Sequence, residues 1–314
     1  MANFTWSFDA PTGTYKQNAL SQKLYIASVA MSKFVEFTRP VDGYGKKMGE
    51  NVTLTRVSNI TEPTSAVLSE GVRIPEDNFS ISTRSITATE LGRSVPYTSL
   101  SEDFSKYDLE NPIQMKLRQQ LTLVLDTLAA TAFKGAQLKY EPTGVLSAST
   151  DTTGTATTTA TANMNMFHVE QIRDLLKDTY FADPYEGDDY VGIFRTLGLR
   201  GIKRDVNWED WHRYTDPQAK FNGEVGRIEG VRFVETNHAA ALPVAGTGSV
   251  LGTGVIFGAD PVVLAEVMTP ELRAAQPQDF GRSKAIAWYG ILAFGEVWNT
   301  ANAGEARIMH VTSA

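Results

Sequence analysis

Asn111-Pro112-Ile113-Gln114-Met115-Lys116-Leu117-Arg118-Gln119-Gln120-Leu121-Thr122-Leu123-Val124-Leu125-Asp126-Thr127-Leu128-Ala129-Ala130-Thr131-Ala132-Phe133-Lys134-Gly135 is the stretch on which the reading of the fold turns. Ile113, Leu117, Leu121, Leu125 with Val124, Leu128 and Ala132 recur every three or four residues, the period of a helix with one buried face. Asn111 is a good N-cap, and Pro112 would occupy the first helical position, where its missing N–H costs nothing. Lys134 falls in the last turn and Gly135 suits the residue just past the end. About 23 residues at 1.5 Å each make a rod of about 35 Å. The expectation is one continuous helix burying Ile113, Leu117, Leu121, Leu125 and Leu128, with Gln114, Lys116 and Arg118 more exposed.

Upstream the texture differs. Residues 1–40 read as an arm: Leu20, Leu24, Ile26, Met31 and Phe34 give a loose helical pattern that ends before Pro40. Lys16, Lys23, Lys33 and Arg39 against Asp9 and Glu36 leave a net +2, which is not a nucleic-acid-neutralising arm. Residues 41–100 open on turn chemistry at Asp42-Gly43-Tyr44-Gly45 and Met48-Gly49-Glu50. Val52, Leu54 and Arg56 then alternate with Thr53, Thr55 and Val57. Phe79, Ile81, Thr83, Ser85 and Thr87 share one strand face, with Ser80, Ser82, Arg84 and Ile86 on the other. A Ser/Thr-rich hairpin with so few large apolar residues is marginal alone in water and must lie on something else.

Downstream, residues 150–161 hold eight Thr in twelve with Gly154, a low-complexity surface loop dispensable for folding. A second helix is expected through Phe167, Val169, Ile172, Leu175 and Leu176, then a strand over 190–194 and partial helix over 197–214. Arg227-Ile228-Glu229-Gly230-Val231-Arg232-Phe233-Val234-Glu235 reads as two strands about a Glu-Gly turn. Further strands are expected over 254–257, 286–294 and 307–311. The length of 314 residues suggests roughly two domains, and area scaling has about three quarters of the unfolded surface buried.

The chemistry is sparse. Apolar residues at 42% and charged residues at 21% exclude a disordered chain, and the absence of Cys removes disulfides, thiolate metal sites and thiol nucleophiles. A net charge of −7 argues against phosphate binding by a basic face. The N-terminus lacks the pattern of a secretory signal, and the longest apolar run, 285–294, is half of what a bilayer span needs. None of the four His (168, 212, 238 and 310) has metal-ligand spacing, so each is read as structural. Gly246-Thr247-Gly248 and Gly252-Thr253-Gly254 fail the dinucleotide fingerprint for want of the third glycine. Asp188-Asp189 and Glu209-Asp210 are adjacent in sequence, which does not face two carboxylates across a cleft. Trp208, Trp211 and Tyr214 step by three, which fits either a sugar platform or, more often, core and interface. No Gly-x-Ser-x-Gly elbow supports nucleophilic hydrolysis.

What is left is an order of elements. That order resembles the major capsid proteins of tailed double-stranded DNA phages with the Hong Kong 97-type fold, over approximately residues 15–312. More narrowly it resembles the major capsid family of the N4-like phages. The residues carrying this are Gly49-Glu50-Asn51-Val52-Thr53-Leu54 after the arm and Glu70-Gly71-Val72 in the hairpin. Gly223-Glu224-Val225-Gly226-Arg227-Ile228-Glu229-Gly230-Val231-Arg232-Phe233-Val234-Glu235-Thr236 is the most specific, followed by Val255-Ile256-Phe257-Gly258 and a segment from Gly281.

The resemblance implies an α+β fold in four parts: an N-terminal arm (1–40), an extended hairpin loop (41–100), a peripheral domain with a spine helix (101–149), and an axial domain with returning peripheral strands (150–314). It implies a structural, non-enzymatic protein without cofactor or metal, whose copies form hexamers and pentamers of an icosahedral shell. The shell would enclose DNA without specific binding. It would have no membrane partner, and it would be assembled in the host cytoplasm, with separate scaffolding, portal and decoration proteins as further partners. On this reading the hairpin clamps a neighbouring subunit through Arg73, Phe79, Ile81, Thr83 and Arg84, the two arginines being either ion-pair donors or solvated. An encapsulin-like compartment shares the implied fold; a carbohydrate-active or hydrolytic enzyme is the alternative of a different class.

Overall fold

The computed structural model describes residues 27–60, 62–105, 107–156, 158–205, 224–243 and 252–314. The start of the arm, the Trp208/Trp211/Tyr214 stripe with Glu209-Asp210 and His212, and Gly246-Thr247-Gly248 lie outside these residues. The chain runs through a 3₁₀ turn (Val35–Phe37), β1 (Thr38–Pro40), β2 (Asn51–Val57), β3 (Ile81–Thr87), β4 (Thr89–Thr98) and α1 (Ser99–Phe104). Then come α2 (Glu110–Lys134), β5 (Leu138–Gly144), β6 (Ser147–Asp151), α3 (Met166–Asp174) with a π-helical continuation (Leu175–Thr179), β7 (Tyr190–Arg195) and α4 (Arg200–Lys203). Strands complete it: β8 (Glu224–Ile228), β9 (Val231–Thr236), β10 (Gly252–Phe257), β11 (Val262–Ala274), β12 (Ser283–Glu296) and β13 (Ile308–Ser313). Helices and sheets are thus mixed in an α+β arrangement.

The long helix α2 is unbroken over 25 residues, and its ends and its buried face differ from expectation. Asn111 is not the cap. The helix starts at Glu110, two residues earlier than expected, and Asp108 Oδ1 accepts from the Glu110 N–H at 3.0 Å. Pro112 lies inside the first turn, where no intrahelical donor is needed. Gly135 is right-handed (φ −67, ψ −15) rather than a left-handed terminator. Its lack of a side chain serves close approach instead, since a Cβ there would lie 2.4 Å from Glu296 Oε1.

Of the five residues expected on the buried face only Leu117 is buried; Ile113, Leu121, Leu125 and Leu128 are half-buried, and Ile113, Leu121 and Val124 pack beside Leu117. Beyond Leu121 the burial passes to Asp126, Ala129, Ala130 and Phe133. At about 100° per residue, these two sets point to roughly opposite sides of the rod. A row of i+4 leucines drifts about 40° per step, so Leu125 has turned out of the first face before the second begins.

The first face meets the four-stranded sheet, and the second meets mainly the larger one, with Val262 of β11 and Phe294 of β12 in the same cluster. The first covers Ile286 and Trp288 of the four-stranded sheet, ordered β1-β11-β12-β4, and Trp288 Nε1 donates to Gln120 Oε1 at 3.1 Å. The second packs Phe133, Ala129 and Ala130 on Ile193, Val255 and Phe257 of the seven-stranded sheet, ordered β6-β5-β13-β10-β7-β9-β8. The far face of the large sheet carries Tyr140, Phe194, Phe233 and Met309 against Val169, Ile172 and Leu176 of α3 and its continuation. Glu229 and Gly230 (φ 47 and 74) make the two-residue turn expected between β8 and β9, where a right-twisted hairpin needs positive φ.

Several elements depart from the sequence reading. Residues 41–100 are not one hairpin: only β2 and β3 pair as a two-stranded ribbon, while β4 is the edge of the four-stranded sheet against β12. The arm's described part is irregular up to the 3₁₀ turn and then joins β11 in parallel through β1, so the helical pattern near Phe34 is not a helix. Thr150 and Asp151 belong to β6, and Ala160 in the Thr-rich loop is buried, its neighbours being mostly exposed. Of the partial helix expected over 197–214, the described residues show only α4.

Candidate assembly surface

The β2–β3 ribbon is exposed along one face, and its base is built into the body. Val52 and Ile86 are buried against Val263 and Ala265 of β11. Gly295 makes this seat possible: a Cβ there would lie 2.6 Å from Ile86 Cδ1. On β2, Arg56 donates to Asn299 Oδ1 at 2.6 Å and its guanidinium sits 5.4 Å from the centre of the Trp298 ring. On β3, Arg84 faces the buried carboxylate of Glu296 at 4.0 Å. The expectation that the ribbon lies entirely on something outside its own subunit is corrected here. Its base has a packing partner in β11 and β12.

Beyond this base the ribbon is open among the described residues. The described residues of 58–80 form no regular strand and turn Val67, Val72 and Ile74 outward at 87%, 67% and 66% exposure. Of the residues singled out from sequence, Phe79, Ile81 and Thr83 are exposed together, on the side opposite Ile86. That division follows from the period-two alternation of β3, in which Ser82, Arg84 and Ile86 turn toward the body. Arg84 is therefore engaged within its own chain, and Arg73 pairs with Glu76 three residues on, both exposed. An open hollow of about 700 Å³ lies beside the ribbon base, lined by Ser58, Asn59, Glu62, Phe181, Asn302 and Glu305.

Of the groups weighed for chemistry, Asp188, Asp189 and His168 are engaged structurally. Asp189 is held by Arg227 at 2.6 Å and Arg232 at 2.9 Å, and Asp188 by Lys177 at 3.1 Å, which lowers its carboxyl below the usual range. His168 is buried between the Tyr140 hydroxyl and the Gly144 carbonyl, each at 3.0 Å. Burial lowers its pKa, so it stays neutral. Among the described residues no group of three or more His, Asp or Glu could hold a metal, and no helix is long and apolar enough to cross a membrane.

Sequence reasoning missed the anchor of the arm. Asp126, fully buried on α2, accepts at Oδ1 from Ser32 Oγ (3.0 Å), Lys33 N (2.9 Å) and Phe34 N (2.8 Å). Its Oδ2 accepts from His238 Nδ1 at 2.7 Å. A lone Asp inside an apolar helical run was the available signal, since such a group is tolerated only with full hydrogen bonding.

No family model and no curated protein matches the sequence. Comparison with solved structures gives a different result. The chain superposes on the cyanophage Pam1 capsid subunit with a TM-score of 0.70 at 15% identity, covering 100% of this chain and 99% of that one. The head structure of Helicobacter pylori bacteriophage KHP40 matches at 0.70 and 13% identity, over 95% of each chain. The capsid of Ralstonia phage GP4 matches at 0.67 and 14% identity, over 98% of each. End-to-end superposition at such low identity is a likeness of fold: this chain has the fold of phage capsid subunits.

Proposed function

We propose that this protein is the major capsid protein of a tailed double-stranded DNA phage, with a Hong Kong 97-type plan most like that of the N4-like phages. In that plan residues 1–40 are the arm, 41–100 the extended loop, 101–149 the peripheral domain with α2 as its spine, and 150–314 the axial domain with β11 and β12 returning to the peripheral sheet. Copies assemble in the host cytoplasm, with scaffolding, portal and decoration proteins as separate chains, into hexamers and pentamers of an icosahedral virion shell. The protein is structural and takes no cofactor.

The observation that carries this is the ribbon. A capsid-type subunit fold presents an extended loop whose outer part turns Val67, Val72 and Ile74 outward, exposed among the described residues. Exposed extended segments of this kind invite pairing with other chains, and in a closed shell every copy finds a neighbour. Phe79, Ile81 and Thr83 on the open face, with Arg73 at the tip, are the contacts assigned to that neighbour. Arg84 supports the ribbon from behind. A net charge of −7 suits a wall that does not grip the packaged phosphate backbone.

Electron microscopy of purified native material tests the reading. Closed icosahedral shells containing DNA are expected. Shells that co-purify with an enzyme cargo and no DNA would make it an encapsulin-like compartment, and monomers with glycan or hydrolase activity would overturn the structural reading altogether.

A further inference from the structure

One face of β5 and β13, at the end of α2, encloses polar groups. Glu141 on β5 is 1% exposed, and among the described residues neither of its carboxylate oxygens has a hydrogen-bond partner. On neighbouring β13, Thr312 Oγ1 and His310 Nδ1 are also enclosed without partners. Native structures leave few buried polar atoms unmatched, and each requires a reason. Lys139, two residues before Glu141 and so on the same strand face, is spoken for elsewhere. Its Nζ donates at 2.5 Å to the Lys134 carbonyl, one of the last of α2, which has no acceptor role inside the helix.

We propose that Glu141 and Lys139 form a proton-operated clasp on the C-terminal end of α2. With Glu141 protonated, the buried carboxyl is neutral and Lys139 stays on the helix end. When Glu141 releases its proton to solvent, an unpaired buried carboxylate is left, a state that strongly favours recruiting the nearest cation. Lys139 then moves from the Lys134 carbonyl to Glu141, and the last turn of α2 loses its cap.

The surrounding charges set where this happens. Burial pushes Glu141 up to about 7, Asp151 of β6 adds to the rise, and Lys139 opposes it. His310, lowered to about 3 by burial and by Lys139 and Lys134, is neutral throughout the switching range. Lys134 of α2 repels Lys139, and Glu296 at the end of β12, itself backed by Arg84 of β3, attracts it. Glu296 is also raised by burial, and when charged it competes with Glu141 for Lys139.

Hydrogen exchange of the full-length chain at pH 5.5, 6.5 and 8.5, corrected for intrinsic rates, tests the clasp. Protection of the amides of residues 131–138 should fall about tenfold or more over that range in the wild type, one order for each pKa unit crossed. Glu141→Gln should hold high protection at every pH, and Lys139→Met low protection at every pH. Amides of β7 should not change in any of them. A carboxyl-carbon NMR titration of Glu141 in the wild type should give a midpoint near 7. An ordinary carboxylate midpoint, or a pH dependence that survives Glu141→Gln, would overturn the proposal. Neither readout depends on whether shells form.

Discussion

Asp126 Oδ2 accepts from His238 Nδ1 at 2.7 Å inside the protein, and the same carboxylate holds the backbone of the arm through Lys33 and Phe34. One buried side chain on α2 thus fixes both the start of the 3₁₀ turn and the loop after β9.

Asp126→Ala removes the acceptor from two backbone N–H groups, a Ser hydroxyl and an imidazole at once. A loss of roughly 3 kcal/mol or more is expected by chemical denaturation, since breaking a buried, charged hydrogen-bond set strands every partner. Limited proteolysis should then cut near residues 31–37 in the folded variant. Unchanged cleavage there would show that the arm is held by other contacts.

The reversal of the buried face along α2 predicts unequal leucines. Leu117→Ala should cost about 2–5 kcal/mol through lost burial and cavity formation, and half-buried Leu125→Ala clearly less. Equal losses in urea denaturation would mean that the two faces do not divide as described.

Gly295 and Ile86 should behave as one unit, because the would-be Cβ meets Ile86 Cδ1 at 2.6 Å. Gly295→Ala is expected to cost about 1–3 kcal/mol through overpacking. In the background Ile86→Ala, which lacks Cδ1 and also the Cγ1 that lies 2.7 Å from the would-be Cβ, the cost should shrink. A double-mutant cycle reads the coupling directly, and strict additivity would contradict the contact.

On the ribbon, Ile81→Asp and removal of residues 62–78 should leave thermal stability nearly unchanged while shells fail to close in sedimentation and electron microscopy. Ile86→Asp, on the buried side of the same strand, should instead unfold the seat on β11. Normal shells from the shortened ribbon would remove its assigned role.

Stability against pH should show a plateau with two flanks. His310, lowered to about 3, resists protonation in the folded state, so its contribution is present above its unfolded value and is lost as pH falls from about 6.5 toward 3. Glu141, raised to about 7, acts the other way: the folded state holds its proton more tightly, and stability is lost as pH rises from about 4.5 to 7. The two slopes oppose between about 4.5 and 6.5. Glu141→Gln should abolish the loss on the alkaline side while keeping the acid one, as measured by thermal unfolding across pH 3–9.

Much of this was legible in the sequence. Strict alternation and strong turn chemistry gave the β8–β9 hairpin, and helical spacing gave α2. Asn111-Pro112 pointed two residues too far in, since the helix opens at Glu110, whose N–H is held by Asp108. β11, with Pro270 and two register irregularities against β12, lacks the alternation that marks a strand, and β5 carries Lys139 and Glu141 where apolar residues would advertise burial. The outward face of β3 was readable from its period. That Arg84 turns to Glu296, some two hundred residues away in the chain, has no local signature, and the lone Asp126 in its apolar run shows that a partner is needed without showing that the partner is the arm.

The two opposite faces of α2 have a mechanical consequence. The rod is seated on the four-stranded sheet along its first half, and near its end it is enclosed by side chains of both sheets, Val262 and Phe294 joining the cluster of Phe133. A load borne by either sheet therefore reaches the other through α2.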